Sequence, residues 1–242
     1  MDAPGPAVYR RRMPPDPVLH LAALPAILFA GLAKGGFGGA ASFAATPLLA
    51  LAMPVEQAVG LLLPLLVVMD MGALHAFWGR WSVPDARALI LSLAVGTALG
   101  WALWDALSPG AIQLAIGLIA LAFVGFRAAQ RLGWRPPGDP GFDPRRAGLW
   151  GGLAGLTSFV AHAGGPPVAM TLLPRTLDTT TYQATVVVAF AAVNLMKLGP
   201  YAALGLIRGD TLILAAILAP AALLGIRLGV RAHRRLSQEA FE

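Results

Sequence analysis

The chain has 242 residues, 57% hydrophobic and only 12% charged, with a net charge of +6 and no cysteine. A soluble domain carries about 25% charged residues, so this composition, with a mean hydropathy of +0.69, describes an all-α polytopic membrane protein. The missing cysteines exclude disulfides, thiolate metal sites and cysteine nucleophiles, and the arginines sit at segment ends with no aromatic platform for bases, which argues for anchorage at the lipid bilayer and against nucleic acid.

The N-terminal tail, residues 1–17, carries Arg10, Arg11 and Arg12. The apolar run after it is long and leads straight into a glycine-rich break, so no signal-peptide cleavage is expected. Val18 to Ala33 is a first apolar arm. The stretch Gly31 to Ala40 then places Lys34 among five glycines. Glycine at that density weakens a helix. An unpaired amide in hydrocarbon costs several kcal/mol, so such a break survives only inside protein or beside a wet cavity. Broken helix ends and one cation at membrane depth describe an anion site in physical terms. Ala40 to Met53 is a second arm of about fourteen residues, too short to cross alone. The two arms predict a hairpin, closed by Pro54.

Val55 to Trp78 is long enough to span, with Pro64 a candidate kink. Gly79 to Arg87 reads as a polar joint, Ala88 to Leu107 as the next span, and Ala111 to Phe126 as another after the Ser108 to Gly110 turn. A basic, Pro- and Gly-rich linker covers residues 128–146. The second half repeats the plan: Ala147 to His162, a break at Ala163 to Pro167, a short arm Val168 to Leu173, a span Thr179 to Leu206, and a last span from Thr211, with Asp210 as its expected cap.

The halves are related. Gly35 and Gly36 correspond to Gly164 and Gly165, and the segment His75 to Gly79 to Tyr201 to Gly205. The expected organisation is two repeats, residues 18–127 and 147–242, each with a glycine-broken hairpin and about three spanning helices. The segment after Leu107 enters a further helix, whereas its counterpart after Leu236 reaches Glu242, so one more helix is expected beyond that point. If each half has a hairpin and three crossings, the repeats are inverted and nearly all arginines fall on one side; that arrangement is preferred over parallel repeats, with the tail arginines against it.

Ionisable residues within spans are few: Lys34, Asp70, His75, His162 and Lys197. Each charged one costs at least about 2.5 kcal/mol at a lone helix centre, so each needs a partner or a wet cavity. Lys34 reads as an anion attractor, against a snorkelling stem. Asn194, Lys197 and Tyr201, spaced i, i+3 and i+7, form one polar stripe on a helix. An alternative is a helix–helix contact with Lys197 neutralised by Asp70. Asp70 and His75 are candidates for coupling or ion pairing, though five positions apart they lie about 140° around a helix and share no face. His162 adjoins the second break and is open to either a cavity or a packing role. Ser42, Thr46, Thr157, Ser158 and Thr185 are path candidates that could equally bond their own backbone. No catalytic set, metal spacing or cofactor motif stands out.

The run Lys34 to Gly39 followed by Thr46 to Leu49, the Ala163 to Pro167 break, and Asn194 to Leu198 with Tyr201 resemble the TauE/SafE family of sulfite exporter-like membrane transporters. The likeness covers Leu19 to Glu242. It implies movement of sulfur-containing anions such as sulfite, sulfoacetate or related organosulfonates, and one further helix past Glu242. The expected substrate-binding set is Lys34, Gly35, Gly36, Gly38, Gly39, His162, Gly164, Gly165, Pro166, Asn194, Lys197 and Tyr201, with no cofactor and no metal. The expected protein is an inner-membrane secondary transporter, with a homodimer left open. An anion channel, a non-transporting membrane subunit or an intramembrane enzyme are the alternatives.

Overall fold

The structure, a computed structural model, describes residues 17–36, 44–134, 141, 143–175 and 177–235. It is helical, with no strand among the described residues. The helices are α1 (Pro17–Gly36), α2 (Ala45–Ala50), α3 (Val55–Phe77), α4 (Val83–Trp104), α5 (Pro109–Arg131), α6 (Pro144–Ala161), α7 (Gly165–Leu172), α8 (Thr179–Ala203) and α9 (Gly209–His233). Five of them are long and apolar enough to cross a membrane: α3, α4, α5, α8 and α9.

Local chemistry sets the helix ends. Asp178 caps α8 by accepting from the Thr180 and Thr181 amides, both at 3.0 Å, and Asp143 caps α6 from Arg145 and Arg146. Ser108 caps α5, with Pro109 at its first position. Gly79 after α3 and Gly205 after α8 both take left-handed backbone, φ 72° and 69°. Glycine is the residue that does so without a Cβ penalty, which explains why it recurs at this point of the repeat.

Several boundaries differ from the sequence expectation. The second arm of the first hairpin is a helix of only 6 residues, whereas the first arm is a full 20 residues, about 30 Å long. The polar joint before α4 is shorter than expected, because Pro84 and Asp85 fit a first helical turn. α5 runs on to Arg131. Asp210 is not the cap of α9: Arg208 holds that position, and Asp210 sits in the first turn, accepting from the Thr211 amide at 2.9 Å.

Two glycine seams organise the packing. α1 lies against α9, and α4 against α6. A Cβ on Gly31 would stand 2.6 Å from the Ala222 carbonyl, and one on Gly35 2.6 Å from the Ile226 carbonyl. In the second seam, a Cβ on Gly96 would stand 1.9 Å from the Gly152 carbonyl and one on Gly155 2.2 Å from that of Leu93. These backbones touch because no side chain intervenes, the arrangement small residues permit between membrane helices. Residue numbers rise together along both seams, so each pair runs parallel. α3 packs on α8 in the opposite sense: Gly60 meets Leu206, Asp70 bonds Asn194, and the Ser82 amide bonds Thr185. Exchanging α1 with α6, α3 with α8 and α4 with α9 maps these packing pairs onto one another. α5 lies outside them, with Leu114, Leu118 and Leu121 exposed.

The seams give a stability prediction. Gly155→Ala should destabilise the protein by about 1–3 kcal/mol, the range for overpacking, because its Cβ meets backbone. Gly117→Ala, where a Cβ meets nothing within 4 Å, should be neutral or mildly stabilising. Detergent-phase unfolding of both variants checks this. A second prediction concerns Asp178, whose carboxyl is held below its usual range by the Thr181 hydroxyl and amide. Its contribution is present above the ordinary carboxylate pKa and is lost as pH falls through the depressed value. Asp178→Asn, which keeps a capping oxygen, should remove that acid dependence from the unfolding curve.

Candidate functional site

The site is built where α1 and α6 end. At the end of α1, Lys34 is buried, and its ammonium lies 2.7 Å from Asp70 Oδ1 on α3. The other oxygen of Asp70 accepts from Asn194 Nδ2 on α8, also at 2.7 Å. Asp70 therefore ties the first break to both repeats. The end of α1 is fixed from α8 as well: the amide of Gln183 donates to the Lys34 carbonyl at 2.7 Å. A carbonyl in the last turn of a helix has no intrahelical donor, so this bond satisfies a group that would otherwise be orphaned.

At the end of α6, His162 adopts left-handed backbone, φ 53°. A non-glycine residue held there costs roughly 1–3 kcal/mol and marks a functional constraint more often than chance. Its Nε2 lies 2.9 Å from the Val59 carbonyl on α3, and its Nδ1 lies 3.0 Å from Lys197 Nζ on α8. A carbonyl only accepts, so Nε2 carries the proton. Nδ1 then accepts from the Lys197 amino group, the arrangement of the neutral Nε2–H ring. Lys197 also donates to the carbonyl and the hydroxyl of Ser158, both at 3.1 Å. Its three N–H groups thus meet three neutral acceptors. Among the described residues no carboxylate lies within ion-pair distance of Lys197, although it is fully buried.

Both ends open onto one cavity. Its polar lining is Lys34, Ser158, His162, Gly165 and Asn194, and its apolar wall is Leu66, Val186, Val187 and Phe190. The volume is ≈ 20 Å³, room for about one water and too small for a sulfur oxyanion.

The sequence-predicted residues divide as follows. Lys34, His162, Gly165 and Asn194 line the cavity. Lys197 stands directly behind Ser158 and His162. Gly35 and Gly36 belong to α1 itself, where their N–H groups face the preceding turn and their missing side chains admit α9. Gly164 is packed, since a Cβ there would stand 2.7 Å from the Ala154 carbonyl and 2.9 Å from Phe190. Pro166 and Pro167 have no N–H, so the second break offers fewer amides than a glycine run would. Tyr201 donates its hydroxyl to the Phe159 carbonyl and packs edge-on against Phe159, supporting the break from behind. His75 is exposed near the end of α3, away from Asp70. Gly38, Gly39 and Ser42 lie outside the described residues. The pairing of Asp70 with Lys197 is not what forms: Asp70 takes Lys34 and Asn194, because α8 enters antiparallel and puts Asn194 at its level. Lys34 accordingly neither snorkels nor stands as a free charge.

Gln183 and the Asp85–Arg175 pair were missed. Gln183 had a signal: Tyr182-Gln-Ala184 repeats Glu56-Gln-Ala58 at the same offset as His75 and Tyr201. Asp85 is buried and pairs with Arg175 Nε at 2.9 Å, linking the start of α4 to the end of the second hairpin. Thr46, Thr157 and Thr185 bond backbone carbonyls through their hydroxyls, Thr46 that of Ala161 at 2.7 Å.

Compared with known proteins, residues 23–242 match the family model described as Sulfite exporter TauE/SafE. No curated protein and no solved structure matches the chain.

The buried pair can be tested by mutation. Asp70→Ala leaves Lys34 buried without its counter-charge and should cost about 3–5 kcal/mol, whereas replacing both partners by apolar groups, Lys34→Met with Asp70→Leu, should recover most of that loss. Equal losses from Asp70→Ala in wild-type and Lys34→Met backgrounds would show that the pair is not coupled.

Proposed function

The chain belongs to the TauE/SafE family, and from that premise we propose that it is a secondary transporter that carries a small sulfur-containing anion, sulfite or an organosulfonate such as sulfoacetate, out of the cell by alternating access. The observation that carries this reading is Lys197: a buried cation without a carboxylate partner, one hydrogen bond behind a cavity that both broken helices share. A buried charge left uncompensated costs several kcal/mol, and an anion in the cavity is the counter-charge that would lower this cost. Lys34, Asn194, Ser158 and His162 are the groups nearest to it.

The packing supports such a cycle. The corresponding helices α3 and α8 run antiparallel, which supports inverted repeats, and inverted repeats about a central site are the arrangement from which alternating access arises by rocking. The cavity has room for about one water, so binding an oxyanion requires the lining to move. That narrowness supports a carrier over the second reading, an anion channel, which needs a continuous path. Phe77 at the end of α3 packs against His233 at the end of α9, so Arg80, Arg231 and Arg234 lie on one face. Arg175 joins them through Asp85, while Arg208 lies opposite. In a bacterial inner membrane, the location we propose, this asymmetry supports the basic face being cytoplasmic.

Flux of labelled sulfite and sulfoacetate in proteoliposomes tests the reading. The expected result is saturable flux with trans-stimulated exchange, reduced at least tenfold by Lys197→Gln. A single-channel current without saturation would establish the channel instead. Absence of flux and of anion-dependent thermal stabilisation would mean a non-transporting membrane subunit.

A further inference from the structure

We propose that the exposed groove between α3 and α9 binds one anionic phospholipid, its phosphate on the arginines of α9 and an acyl chain beside Gly72. The site is separate from the cavity and does not depend on what the protein carries.

α9 has 25 residues and is about 37 Å long, more than the roughly 30 Å of hydrocarbon in a bilayer. Arg227 lies about 27 Å along it from Gly209, where hydrocarbon gives way to headgroups. Leu223, Arg227, Arg231 and Arg234 fall at i, i+4, i+8 and i+11, within about 80° of one another around the helix. All four are exposed. A solitary arginine at this depth snorkels to whatever headgroup is near. Three on one stripe converge on a small region, and their planar forks fit phosphate oxygens.

The other wall of the groove comes from α3. A Cβ on Gly72 would stand 3.2 Å from Ile226 Cγ2 and 4.0 Å from Leu223 Cδ2. Gly72 has none, which leaves an apolar notch beside Leu223, flanked by the exposed Met71. Phe77 packs against His233 further on, so α3 and α9 rise together. His75 therefore comes between the levels of Ile226 and His233, alongside the arginines, and it is exposed, as is Trp78. Both rings carry an N–H group, and tryptophan is a common anchor at headgroup level.

Nothing on this face opposes an anion. α1 has no acidic residue, and those of α3 and α9 are Glu56, Asp70 and Asp210. Glu56 and Asp210 stand in the first turns, at the far ends of their helices. Asp70 is buried and bonded to Lys34 and Asn194. Among the described residues, no carboxylate lies within ion-pair distance of Arg227, Arg231 or Arg234. An apolar notch leading to a basic rim complements a phospholipid, which has a chain and a charged head, and favours an anionic one.

The test follows thermal unfolding of the purified full chain in a nonionic detergent. The probes are dioleoyl phosphatidylglycerol, dioleoyl phosphatidylcholine with the same chains, and glycerol 3-phosphate, an anion without chains. Three proteins are compared with wild type: the double variant Arg227→Gln with Arg231→Gln, Gly72→Val, and Arg87→Gln, which alters an exposed arginine of α4 outside the groove.

Wild type should be stabilised at an at least fivefold lower concentration of phosphatidylglycerol than of phosphatidylcholine, and not by glycerol 3-phosphate. The double variant should lose this preference. Gly72→Val should weaken phosphatidylglycerol at least threefold with every arginine intact, and Arg87→Gln should behave as wild type. An equal response to both lipids overturns the proposal. So does an equal loss in Arg87→Gln, which would mean general attraction to an anionic micelle. Stabilisation by glycerol 3-phosphate would assign the arginines to a soluble anion and overturn it too. A dimer that Gly72→Val dissociates and lipid leaves unchanged would give the groove to a second copy instead. If Gly72→Val does not fold, His75→Ala decides: a threefold loss supports the groove and an unchanged response overturns it.

Discussion

Ending a helix inside a membrane leaves carbonyl groups with no water to receive a hydrogen bond, and the rest of this structure is arranged around meeting that demand. Side chains from other elements do it. Gln183 reaches the Lys34 carbonyl, and His233 the Gly36 carbonyl, at the end of α1. Thr46 reaches Ala161, Tyr201 reaches Phe159, and Lys197 reaches Ser158 at the end of α6. Each bond joins residues far apart in the chain, so each break is held by the opposite half or by a distant helix. The ends of α1 and α6 are therefore held in place from distant parts of the chain. It also follows that any motion separating the halves must exchange these bonds, and small shifts at the site are tied to rearrangement at the helix ends.

The same crossing elements carry the charges. Lys34 is compensated by Asp70, while Lys197 is solvated by a histidine, a hydroxyl and a carbonyl. Lys34 and Lys197 therefore differ in kind, one meeting a carboxylate and the other only neutral acceptors. Had neither met a carboxylate, the cost of burying two like charges would be hard to offset within one small fold. One lysine paired with a carboxylate and one held by neutral acceptors is the arrangement the fold adopts.

The glycine seams make this geometry possible. With Gly31 and Gly35 against Gly225 and Gly229, and Gly96 against Gly152, the helices of one half lie directly on those of the other. All these pairs sit in the small-xxx-small spacing of close membrane contacts, including Gly96 with Gly100 and Gly151 with Gly155. A larger residue in either seam would push α1 or α6 outward and carry Lys34 or His162 away from the cavity they share.

Much of this was written in the sequence. Composition fixed the membrane class, the apolar runs located the long helices, and glycine with proline located both breaks, because these signals depend on local backbone chemistry and on solvent transfer. The lysines, Asn194 and His162 stood out because an ionisable or polar group in an apolar run needs an explanation. Boundaries were less legible: Asp85 reads as a loop acid until Arg175 is seen beside it, and Asp210 reads as a cap until Arg208 takes that position. What only the tertiary structure decided was partnership. Periodicity places Asn194, Lys197 and Tyr201 on one stripe, yet their targets are Asp70, the Ser158–His162 pair and the Phe159 carbonyl, three different tasks. The direction in which α8 crosses α3 makes that assignment, and it is set by packing between halves, which leaves no mark on the spacing within either one.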